Sequence, residues 1–159
     1  MNTLTIVAGL AALGSALIAG VFFAFSSFIM TALARLPSPE GIRAMQSINV
    51  VVLNRTFLGT FMGTAILSVL VAALAVPNWT AAASPWFLAG AVCYAVGTFI
   101  VTGMGNVPLN NRLAALNADD ESSQLVWAQY LNRWTALNTL RTAAAAAASV
   151  AICIGLMQH

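Results

Sequence analysis

Charge is what this chain has least of. Its 159 residues carry six cationic and four anionic side chains, with no lysine and a single histidine, the terminal His159. Charged residues are 6% of the chain, against about a quarter in an ordinary soluble domain. The formal net charge of +2 is too small and too scattered for a nucleic-acid footprint, which excludes that class. No carboxylate falls inside a long apolar stretch. A di-iron carboxylate centre therefore has no ligands, and a small four-helix proton antiporter has no carrier group. One terminal histidine leaves haem and copper–histidine sites without their ordinary ligands, so no metal and no cofactor is expected. The two cysteines, Cys93 and Cys153, stand far apart, which excludes a CxxC thiol oxidoreductase. As isolated small residues in apolar segments they read as packing groups.

What fills the chain instead is apolar sequence in four stretches, residues 4–36, 48–76, 85–104 and 136–157. Crossing a bilayer core takes about 20 apolar helical residues, and each stretch reaches roughly that length. The expectation is an all-α, integral membrane four-helix bundle forming one domain over residues 1–159. The first stretch lacks a basic leader and is far longer than a signal-peptide core, so it reads as a retained helix. Even-numbered crossing returns both termini to one side. Arg35, Arg43, Arg112 and Arg133 then share the opposite face, with Arg55 and Arg141 near it, while linker 77–84 is uncharged. The positive-inside rule puts the arginine face in the cytoplasm of a cell inner (plasma) membrane and both termini outside. Asn78-Trp79-Thr80 spells a glycosylation acceptor so close to the membrane that it reads as a chance match.

Proline and acid positions mark the helix starts. Ser38-Pro39 and Ser84-Pro85 pair a capping residue with proline at the first helical position. The second helix is expected over residues 39–76, stopped by Pro77 and about 57 Å long at 1.5 Å per residue. The third is expected to end near Gly103-Met104-Gly105, before Pro108. Asp119, Asp120 and Glu121 suit the positive end of the fourth helix dipole better than an acidic catalytic site. That helix would run roughly 40 residues to the terminus. Helices two and four are thus expected to extend past the bilayer on the cytoplasmic side. The alanine run 143–148 reads as a close-packing face.

The sharpest spacing lies in the fourth helix. Trp127, Tyr130, Trp134, Asn138 and Arg141 are separated by three, four, four and three residues, which places them within roughly 80° of arc on one face. Rings, an amide and a guanidinium on one stripe suit a planar, partly anionic molecule. The competing reading is an interfacial aromatic belt with a snorkelling arginine. Two further polar groups fall at the same depth: Asn49 with Thr56 and Thr60 in helix two, and the amide-rich run Asn106, Asn110, Asn111 and Arg112 around Pro108. Each has a structural explanation, helix–helix hydrogen bonding for the first and a capped helix end for the second. A shared depth favours a common pocket.

With these residues in view, the chain resembles the anthrone oxygenase-like family of small four-helix membrane proteins, whose bacterial members are mostly of unknown function. The likeness rests on residues 20–26 with 32–37, on Met45-Gln46-Ser47-Ile48-Asn49 through Asn54, and on residues 106–111 with the stripe from Trp127 to Arg141. It implies a cofactor-independent oxygenase that uses O2 on a lipophilic aromatic at the cytoplasmic boundary. Arg141, Asn138 and Tyr130 would then be catalytic. Asn49, Asn54, Asn106, Asn110, Asn111, Trp127 and Trp134 would bind substrate. The alternative is a non-enzymatic membrane module binding a lipid or small hydrophobic molecule. Expected partners are that lipophilic molecule or lipid and the membrane, with a second copy of the chain left open and no nucleic acid.

Overall fold

The computed structural model describes residues 2–159, apart from the side chain of Asn78, so the Asn78-Trp79-Thr80 acceptor lies outside what is described. Among the described residues, five main helices, α1 (Thr3–Ala34), α2 (Ser38–Val51), α3 (Arg55–Ala75), α4 (Ser84–Ala114) and α5 (Glu121–Met157), are joined by short connections, one of them a 3-10 turn at Val76–Asn78. Four of them, α1, α3, α4 and α5, are long and apolar enough to cross a membrane. Each packs on the next, and α5 closes the ring against α1. The short α2 crosses one end, against α5 and the tail of α4. At the other end Asn2 hydrogen-bonds His159, at 2.8 Å, so both termini lie together.

The second apolar stretch is not one helix. It breaks at Val52, Leu53 and Asn54, correcting the single helix expected over 39–76. The cause is Asn54. Its side chain accepts the Phe57 N–H at 2.9 Å and donates to the Val51 carbonyl at 3.0 Å, ending one helix and capping the next. A short amide side chain that competes for backbone groups does this readily. The 21 residues of α3 alone give about 31 Å, the thickness of the hydrocarbon core.

The third stretch departs in the opposite sense. It stays helical through Gly103-Met104-Gly105 to Ala114, because two π-helical segments, Cys93–Ile100 and Thr102–Asn106, carry it past the expected end. The Val107 N–H reaches back to the Thr102 carbonyl, and Pro108 then enters as one of the first residues of a renewed α segment, where its missing donor costs little. A third π segment, Phe25–Ile29, interrupts α1. The fourth helix runs unbroken for 37 residues, with Asp120 as its N-cap.

Between lipid-facing helices there is no hydrophobic drive to associate, so close packing must hold the bundle. Gly90 and Gly97 of α4 bring that helix onto the alanine face of α5. A Cβ on Gly90 would lie 3.0 Å from the Ala148 carbonyl oxygen, and one on Gly97 would lie 2.6 Å from the Ala144 Cβ. Ala145 and Ala148 are fully buried, whereas Ala143, Ala146 and Ala147 are exposed, so one side of the alanine run does the packing. The outward surface at mid-helix is apolar: Leu13, Leu17, Ile66, Val69, Val92 and Val96 are all exposed. That inversion is what a multi-pass membrane protein presents to acyl chains.

Candidate functional site

The five stripe residues of α5 face the bundle interior. Trp127, Tyr130, Trp134, Asn138 and Arg141 are all buried, which removes the aromatic-belt reading. Three rings stack along the helix, Trp127 on Tyr130 at 5.6 Å and Tyr130 on Trp134 at 6.1 Å between centroids. Their polar edges converge on α4: Asn110 Oδ1 accepts both the Tyr130 hydroxyl, at 2.9 Å, and the Trp134 indole N–H, at 2.8 Å. Asn49 of α2 approaches the same hydroxyl at 3.5 Å, a long contact. A single amide oxygen thus fixes two aromatic rings and ties α4 to α5.

Two turns beyond Trp134 sits Arg141, 4% exposed. Placing a guanidinium here costs ~3 kcal/mol or more unless it is paired, and no carboxylate reaches it. Asn138 Oδ1 accepts from Nη2 at 2.6 Å and Thr102 Oγ1 from Nη1 at 3.1 Å. The guanidinium carbon lies 4.1 Å from the Phe22 ring centroid and 5.3 Å from that of Trp134, so ring faces supply the rest of its surroundings. Nε is buried with no partner. Asn138 is itself held from the far side. Its amide donates to the Phe22 carbonyl and to Ser26 Oγ, both at 2.7 Å, and Thr139 also bonds Ser26. α1 is therefore part of the site through the segment where its π register begins.

Arg141, Trp134, Asn110, Asn49 and Thr102 line a cavity of about 200 Å³. The rest of its wall is apolar, including Phe22, Phe25, Phe57 and Phe61. Val21, Leu53, Leu58, Met62 and Val107 of its lining are exposed, so the cavity is open to the surface of the bundle. The cavity thus combines an apolar, ring-rich wall with one guanidinium. Among the described residues, no three of the His, Cys, Asp and Glu side chains come together as a metal site requires.

The expected site residues divide into three groups. Asn49, Asn110, Trp134 and Arg141 line the cavity. Trp127, Tyr130, Asn138 and Asn106 stand behind it. Trp127 packs on Gly41, Tyr130 buttresses Trp134, and Asn106 donates to the Trp134 carbonyl at 3.2 Å while its own Oδ1 stays unpartnered. Asn54 and Asn111 are exposed and do not line the cavity, Asn54 being spent as a helix cap. Thr56 and Thr60 do not line it either. The amide run around Pro108 is helical, so it presents Asn106 and Asn110 inward rather than capping an end. Sequence reasoning missed Thr102, although Thr98, Thr102, Asn106 and Asn110 recur every fourth residue along α4. It also missed Phe22 and Ser26 as contacts of the polar centre.

Fold and site together define a multi-pass membrane protein with a buried, acid-free arginine at the wall of an apolar cavity. Among protein families, anthrone oxygenase matches residues 48–151, about two-thirds of the chain, and the chain belongs to that family. The matched segment contains every cavity-lining residue except those of α1 and Met45. No curated protein matches the chain, and no solved structure does either.

Proposed function

We propose that this protein is a cofactor-independent oxygenase that takes a lipophilic hydroxylated aromatic from the bilayer and oxidises it with O2. The observation that carries the reading is Arg141, buried without a carboxylate and with Nε unpartnered. A fixed cation of this kind stabilises an enolate or phenolate oxygen in a water-poor site. The anion is electron-rich enough to pass its electrons to O2 directly. For an anthrone-type substrate the balance is one ring methylene plus O2 giving one carbonyl plus water. The methylene carbon is oxidised, and one oxygen atom leaves as water with the two hydrogens.

Among the described residues no histidine or carboxylate lines the cavity, so the substrate's proton goes to water of the membrane interface and the ligand settles as an anion. Trp134 and the phenylalanines hold its rings, and Asn138 acts through Arg141 by fixing its fork. Tyr130, bonded to Asn110, sets the position of Trp134. The missing base also gives the second reading its support: a module that only holds a lipophilic anion needs the cation and the rings but no proton acceptor. Oxygen uptake by the purified protein in liposomes, with anthrone added, separates the two. An oxygenase consumes O2 in step with quinone appearance, faster than protein-free liposomes. Saturable ligand binding with uptake at the protein-free rate assigns the chain to the second reading.

The same reading puts the arginine-bearing end of the bundle in the cytoplasm of the cell inner membrane. In a variant lacking Cys93 and Cys153, single cysteines placed in 37–43 or 110–123 are expected to react with an impermeant maleimide only after the membrane is opened. A cysteine at position 78 is expected to react in intact cells. Labelling of either arginine-bearing segment from outside reverses the orientation.

A further inference from the structure

A second concavity lies on the other side of Tyr130, outside the cavity just described. It is a groove of about 480 Å³ between the tail of α4 and the first half of α5, with Tyr130 as part of its wall. Arg112 stands on the α4 side and Arg133 on the α5 side. Gln129 and Asn132 add amide donors, and Leu109 and Val126 give it an apolar floor.

We propose that this groove seats the headgroup of an anionic phospholipid, with its phosphate between Arg112 and Arg133. Two cations converge on one groove that has no carboxylate in its lining. Among the described residues the one ion pair is Arg43 with Asp119, so neither groove arginine has an acidic partner. Guanidinium forks match phosphate oxygens, and an anion here relieves the repulsion between two facing like charges. The depth also fits. From Arg133 to the helix end at Met157 is about 36 Å of helix, slightly more than the ~30 Å hydrocarbon core, which sets Arg133 at the phosphate layer. A soluble anion would have no use for what lies further along the same face. Leu140 is seven residues beyond Arg133, exposed, and aligned for an acyl chain.

The test is native mass spectrometry of the full chain in a neutral detergent, with phosphatidylglycerol or phosphatidylcholine added at equal concentration. The wild type is expected to retain phosphatidylglycerol ~30-fold in preference, because both headgroups offer a phosphate but only phosphatidylcholine cancels its charge with a cation of its own beside the two arginines. R112Q and R133Q should each lose part of the preference, and the double variant R112Q/R133Q all of it, with unchanged elution in gel filtration. The charge-matched R35Q/R55Q should keep it. Equal retention of both lipids by the wild type overturns the proposal, as does equal loss in the two double variants, which would mark a general surface charge effect. Displacement of the lipid by excess inorganic phosphate also overturns it, because the site would then be selecting the free anion.

Discussion

Replacing Arg141 with leucine is expected to abolish the proposed ligand binding and turnover while leaving the protein inserted and folded. Among the described residues the guanidinium is the only charge at the cavity wall, and it is surrounded by Asn138 Oδ1, Thr102 Oγ1, and the faces of Phe22 and Trp134. Loss of a preorganised donor at a developing oxyanion costs ~10²–10³ in rate, and here the ligand's charge loses its one counter-ion as well. Stability should change little, because removing a cation that is costly to hold near hydrocarbon offsets leaving the buried Asn138 Oδ1 without its donor. Lysine restores little. Its point charge cannot span Asn138 and Thr102 as the fork does, and about tenfold or more of the loss should remain. The measurement is ligand affinity and oxygen uptake for wild type, Arg141→Leu and Arg141→Lys in liposomes, beside thermal melting in detergent. Activity of Arg141→Leu within about threefold of wild type would remove the arginine from the chemistry.

Gly90→Leu should be a strongly damaging packing change. The Cβ it introduces would sit 3.0 Å from a backbone oxygen, that of Ala148, and would also press on the Ile152 side chain. A side chain can turn aside, but a carbonyl inside a helix cannot, so α4 and α5 must separate. Overpacking of this kind costs ~1–3 kcal/mol, and in a chain of this length that lowers the melting temperature by about 2–12 °C. Gly103→Leu is the matched control: it lies in the same helix and a Cβ there meets nothing within 4 Å. Its melting temperature should stay within about 2 °C of wild type. Equal losses in the two variants would mean that the approach of α4 to α5 is not what holds the bundle.

How far the sequence foretold these features depended on the kind of signal each left. The spans were plain because charge is excluded from hydrocarbon, and arginine positions and apolar lengths both report that exclusion. The inward face of α5 was plain because a helix without interruption keeps its period, so Trp127 to Arg141 stayed on one stripe for four turns. The break at Asn54 left almost no trace. Its neighbours Leu53, Phe57 and Leu58 are as apolar as a helix interior, and composition does not distinguish an asparagine that caps from one that is buried. The π segments of α4 are harder still. Small residues such as Gly97, Gly103 and Gly105 permit either register, and packing against α5 makes the choice. With a wider register hidden in the sequence, the contact of Thr102 with Arg141 went unseen, and Asn111 was grouped with the site although it is exposed and does not line the cavity.

The π segments also bear on where this chain can change length. A π turn is an α turn holding one residue more, with flanking helix left facing as before. Dropping a residue from Phe25–Ile29 or Cys93–Ile100 would therefore tighten the local ladder and leave the downstream faces aimed as they are. At Thr102–Asn106 the same deletion meets a constraint. The tightened helix would press the Pro108 ring onto a preceding carbonyl and kink α4 just below Asn110. Two of the three surplus residues are thus dispensable to the direction of the helices, and the third is the clearance that lets a proline stand inside a membrane helix beside the site.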